Sequence, residues 1–123
     1  MPDYTITNLN DVEDQAPGFG EVRFPRTAVD AADTGFAYQH LLPDTKQPFG
    51  HRHDKAEEIY FVISGSGSVK LDGDVKELRR HDILRIAPKV ARSFASGSDG
   101  LELVVFGPHH EKDGELIDNY WDQ

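Results

Sequence analysis

Apolar residues along this chain come in short runs rather than long stripes. The runs recur roughly every ten residues, with Gly, Pro and Asp between them, the punctuation of an all-β protein. They predict strands over residues 21–24, 35–42, 58–64, 68–71, 75–78, 83–86, 92–95 and 101–106. Asp72-Gly73 falls between two of these runs and predicts a tight hairpin, since Gly tolerates the positive φ such a turn requires. Ser64-Gly65-Ser66-Gly67 and Asp99-Gly100 mark two further turns, and the hairpin accounts for the Gly-Ser-Gly fragment without a phosphate site. No window carries a sustained helical period; residues 30–33 have room for a single helical turn.

Alternation also sorts side chains by face. Residues two apart in a strand point the same way. If Glu58 points inward, so do Tyr60 and Val62, and Ile59, Phe61 and Ile63 point outward. Three outward apolar residues need a cover, which the N-terminal arm or a second subunit would supply, so a homodimer is expected. The opposite register would bury Ile59, Phe61 and Ile63 and turn Glu58 to solvent. On the preceding strand only one of Gln39 and His40 can face inward, and the pattern does not choose.

Length and composition narrow the picture. The 123 residues fit one domain. Its expected parts are an N-terminal arm (1–18), a β-barrel (19–107) and an acidic tail (108–123). The tail's Tyr120 and Trp121 would pack on the barrel or on a partner subunit. A net charge of −9 argues against nucleic-acid binding. The absence of cysteine excludes disulfides, thiolate metal sites and thiol catalysis. The longest apolar run, 59–63, is too short to span a bilayer, and the opening Met-Pro-Asp-Tyr-Thr does not resemble a secretory signal. A cytoplasmic protein without membrane contact is expected. The acidic residues Asp11, Glu13 and Asp14 read as a solvated patch, His109-His110 as a solvated pair, and His81 as a turn residue.

The chemistry concentrates in Gly50-His51-Arg52-His53-Asp54-Lys55-Ala56-Glu57-Glu58. In an extended segment His51 and His53 present two imidazoles on one face. Glu58 opens the next strand and can meet them across a short loop. Two His and a carboxylate on one face can hold a divalent Fe, Mn, Ni, Zn or Cu ion and leave coordination positions open; the donor types do not select among them.

These residues resemble the first motif of the cupin superfamily, in which two His one residue apart are followed by a Glu and then a Gly, here His51, His53, Glu58 and Gly65. Thr45 stands where the motif's opening Gly is usual. The stretch from His81 to Phe94 is similar to the second motif, with Asp82 and Pro88 in place. His81 and Lys89 replace its glycines, and Arg92 stands where the family has a further metal-binding His. The resemblance covers roughly residues 35–106. It implies a cupin-type double-stranded β-helix, that is, a jelly-roll barrel, with a small-molecule site at its mouth.

Arg92 sharpens the question. A guanidinium has donors only and stays charged. Next to a bound dication it costs on the order of 1–4 kcal/mol per unit charge at contact distance. Three arrangements are open: Arg92 pairs with Glu58 in place of a metal, grips an anionic ligand such as a carboxylate beside a metal held by His51, His53 and Glu58, or points to solvent. By the resemblance, the protein would be a metal-dependent enzyme of oxygenase or isomerase type acting on a small organic acid, with Arg92 orienting the substrate and Tyr60 donating a hydrogen bond. The alternatives are a metal-free small-molecule binding or sensing domain, and an interaction module with a vestigial pocket.

Overall fold

The computed structural model describes residues 3–16 and 18–123. Met1, Pro2 and Pro17, part of the expected arm, lie outside them. Eight strands form one curled antiparallel sheet: β1 (Gly20–Arg23), β2 (Thr34–Leu41), β3 (Phe49–His53), β4 (Glu58–Leu71), β5 (Asp74–Arg79), β6 (Ile83–Ile86), β7 (Arg92–Pro108) and β8 (Gly114–Asp118). Strands pair in the order β1-β2-β7-β3-β8, while β4 pairs with β5, β6 and β7. The fold is the double-stranded β-helix expected from the sequence.

Two long strands replace four expected short ones. The runs 58–64 and 68–71 are halves of β4, and 92–95 and 101–106 are halves of β7. The residues read as turns lie inside these strands. The β4–β7 register shifts between Val62 and Ser64 and again between Gly65 and Gly67, so the strand bends through bulges without reversing. Gly65 takes φ +82°, and a Cβ there would lie 2.1 Å from the Gly100 carbonyl oxygen. A glycine that signals a turn and one that lets two strands bend together look alike in sequence. At the β4–β5 hairpin, where Leu71 faces Asp74, the positive φ falls on Asp72 (52°). The helix-like turn runs from Pro25 to Ala31, ahead of its expected place, through bonds from Val29 N to Pro25 O and Ala31 N to Arg26 O.

The core comprises Phe19, Val22, Leu41, Tyr60, Val62, Val69, Phe94, Leu101 and Leu103 among others. Tyr60 and Val62 are fully buried, which fixes the β4 register with Glu58 facing the interior. Outward Ile59 and Phe61 are half-buried. They are flanked by Phe106, Val104 and Ile83 on neighbouring strands, and Phe61 also stacks on His81, which sits in a turn at φ 73°.

The tail docks on its own barrel. β8 pairs with β3 along its whole length, from Phe49 opposite Asp118 to His53 opposite Gly114. Tyr120 donates its hydroxyl to the carbonyls of Asp72 and Ala91, Trp121 Nε1 donates to Ser93 Oγ, and buried Lys70 donates to the carbonyls of Tyr120 and Gln123. Neither β3 nor β8 appears among the strands read from apolar runs, because both are short and polar.

A candidate metal centre on the barrel wall

β3 and β4 bring the sequence-selected residues together. His51 and His53 project from one face of β3 with ring centroids 5.2 Å apart and planes at 90°. Glu58, at the start of β4, reaches both: Oε1 is 3.5 Å from His51 Nε2, and Oε2 is 3.3 Å from His53 Nε2. One donor atom from each of the three lies within 4.8 Å of the others. Two ligands each about 2.1 Å from an ion stand roughly 3.0–3.4 Å apart. The two His–Glu approaches are close to that and the whole set lies within 4.8 Å, so these donor types fit a divalent transition metal after a small closing of the set.

Glu58 is asymmetric. Its Oε1 accepts the Tyr60 hydroxyl at 2.6 Å and Arg92 Nη1 at 3.3 Å. Its Oε2 faces His53. Arg92 is completely enclosed, and Nη2 donates to the Ala87 carbonyl at 2.8 Å. Of the contacts the sequence left open for Arg92, the structure shows the one with Glu58, with His51 and His53 on the same carboxylate. Arg92 stands opposite His51 in register, sealed from solvent and outside the cavity lining, so the expected grip on a substrate is corrected to a hold on Glu58. The physical reason is packing: a guanidinium sealed from solvent must spend its charge on the nearest carboxylate. Tyr60 is likewise buried, with its hydroxyl committed to Glu58.

Burial would push the Glu58 carboxyl up, but hydrogen bonds from His51, His53 and Tyr60 outweigh it and hold the group well below the usual carboxylate range. The bond to Glu58 raises His53 above the usual imidazole value despite burial. Burial pushes the Tyr60 hydroxyl far up, so it stays a donor.

Sequence reasoning missed Asp113. Its carboxylate accepts from Lys55 N (2.8 Å) and Ala56 N (3.0 Å), clamping the loop between His53 and Glu58. It also lies 3.2 Å from His53 Nδ1, on the far side of the ring from Glu58. That contact is an ion-pair approach rather than an aligned hydrogen bond. Asp113 read as one more acid in an acidic tail, and only the docking of β8 against β3 carries it to the site.

Glu58 and both His line an apolar cavity of about 390 Å³, walled by Phe19, Val22, Phe24, Phe49, Val105 and Leu116. Gln39 faces this cavity, with Ala37 and Leu41 on the same inward side of β2. His40 points away, 3.9 Å from Glu21. A second hollow of about 300 Å³ adjoins at His53 and Glu58 and is lined by Arg26, half-buried His109 and exposed His110.

Residues 37–107, more than half of the chain, match the family model for the cupin domain. The chain is a cupin. Among curated proteins, it is 26% identical over 81 residues to an uncharacterised protein of Methanocaldococcus jannaschii. That match covers 63% of this cupin and 65% of the relative's own length. Among solved structures, it resembles a cupin protein from Bacteroides fragilis at 25% identity and a TM-score of 0.68, over 83% of this chain and 87% of that one. It also resembles the polyketide cyclase RemF from Streptomyces resistomycificus, at 18% identity and a TM-score of 0.74, over 94% and 84% of the two chains. This second likeness is one of fold.

Proposed function

We propose that this cupin is a metal-dependent enzyme of the oxygenase or isomerase type, acting on a small organic acid in the apolar cavity. His51, His53 and Glu58 would hold the ion. The observation that carries this reading is the convergence of three donor atoms within 4.8 Å on the wall of a cavity of about 390 Å³. A bound Fe, Mn, Ni, Zn or Cu ion supplies Lewis acidity at an open position. The protein's own residues do the rest. Tyr60 and Arg92 fix Glu58 Oε1 by donating to it, which leaves Oε2 toward His53. The apolar walls exclude water from whatever binds beside it.

Elemental analysis of protein made without a His-tag tests the reading. About one ion per chain is expected in the parent and none in the His51→Ala, His53→Ala double variant. Metal-free parent protein, with no rise in melting temperature on adding Fe, Mn, Ni or Zn, would sink it. One observation favours a second reading, a metal-free binding domain: Arg92 already supplies Glu58 with a counter-charge.

The proposal includes a second copy of the chain on the outer sheet face, where Ile83 is 71% and Phe106 42% exposed around half-buried Ile59 and Phe61.

A further inference from the structure

Besides the metal-ligand set, the cavity wall carries two buried amides, Gln39 and Gln47, each 7% exposed. Their orientation follows from the backbone. The Phe94 N–H donates to Gln47 Oε1 at 3.0 Å, and a backbone N–H can meet only the oxygen end of that amide. The Ser93 hydroxyl approaches the same oxygen at 3.5 Å. Gln47 Nε2 is therefore left to donate, and it does so to Gln39 Oε1 at 2.8 Å. The bond to Gln39 Oε1 sets the orientation of that amide and leaves its NH2 group as the end free to donate. Among the described residues Gln39 Nε2 has no hydrogen-bond partner. It is not sealed off either, since the enclosed unpaired side-chain atoms are Arg52 Nε, His53 Nδ1 and Arg92 Nε. The cavity thus presents a fixed donor, which a ligand that displaces solvent must either satisfy or leave unpaired at a cost.

We infer that Gln39 is the ligand-reading residue of this cavity, and that the ligand is an apolar molecule bearing an acceptor-only oxygen, a carbonyl or a carboxylate, that takes the Gln39 NH2. A fixed donor favours such an oxygen over a group that must itself donate, because an ammonium or amide NH there would meet a donor head-on. The inference rests on the cavity being a small-molecule site, as proposed above, and does not require the metal.

Three probes of matched size test it on the full chain: benzoate, acetophenone and isopropylbenzene, the last lacking an acceptor. Binding is followed by titration calorimetry and by the ¹⁵N-¹H signals of the glutamine side chains. Benzoate, acetophenone or both should bind about tenfold or more tighter than isopropylbenzene and shift the Gln39 NH2 signals. A preference between the two separates an anionic from a neutral ligand. Gln39→Glu keeps the acceptor for Gln47 and removes the donor, so it should abolish the advantage over isopropylbenzene. Gln47→Glu should turn the Gln39 amide around and have the same effect with Gln39 intact. The signal shift in the parent needs no variant, so a variant that fails to fold leaves the inference open to refutation. Equal binding of all three probes, with still Gln39 signals, would overturn the role of Gln39 and leave the cavity reading standing. No binding by any probe would overturn both.

Discussion

Glu58 meets four partners, which fills the lone-pair sites of a carboxylate: two imidazoles, a phenol and a guanidinium. The metal and Arg92 are competitors for its charge. Replacing Arg92 with Met should tighten Zn binding about tenfold or more, because a fixed positive charge leaves the neighbourhood. It should also destabilise the fold by about 2–5 kcal/mol, because Ala87 O and Glu58 lose a buried donor. Zn titration and chemical denaturation of the same variant check both; unchanged affinity would mean that Arg92 does not oppose the ion. Asp113 acts in the other direction. It abuts His53 Nδ1 and clamps the following loop, so it orients the ring that offers Nε2 to the centre. Asp113→Ala should cost about 10–100-fold in metal affinity, read by competition with a chelating dye. Recovery in Asp113→Glu would separate orientation of the ring from general loss of structure.

β3, which carries both imidazoles, is polar in composition and depends on neighbours for its pairing. β3 has few apolar residues and is held between β7 and β8. The N-terminal arm is pinned in a comparable way. Asp14 Oδ1 accepts from Ala16 N at 2.9 Å and Val22 N at 3.0 Å, and Gln15 N donates to Val22 O at 2.7 Å. Those backbone bonds hold the Asp14 carboxyl below its ordinary value of 3.8. A carboxyl lowered on folding contributes stability that is present above its unfolded value and lost as pH falls through the folded one. Amide exchange at Ala16 and Val22 should therefore accelerate as pH drops below about 3.8, relative to the base-corrected intrinsic rate. In Asp14→Ala that acid-dependent step should be absent; its persistence would place the titration elsewhere.

No helix among the described residues is long and apolar enough to cross a membrane. The largest surface question is the outer sheet face. Ile83, Phe106 and their half-buried neighbours form an apolar patch, and a proposed second copy would cover it. Sedimentation velocity at micromolar concentration should show a dimer for the parent and a monomer for Ile83→Glu combined with Phe106→Glu. A monomeric parent would sink the dimer.

The local pattern decided the fold class and the first half of the site. Alternation in β4 puts Glu58, Tyr60 and Val62 on one face, which the closed sheet makes the inner one, while two-residue spacing pairs His51 with His53. Such features depend on neighbours in sequence, and periodicity reports them. Chain-distant contacts decided the rest. Whether Gly65 turns or bulges depends on Gly100, and Gln39 is oriented through Gln47 by the backbone of Phe94. Arg92 is committed to Glu58 because β7 sets it between β3 and β4, and Asp113 reaches His53 because β8 closes against β3. A polar side chain's role is set by which partner satisfies it, and that partner is fixed only once the sheet has closed.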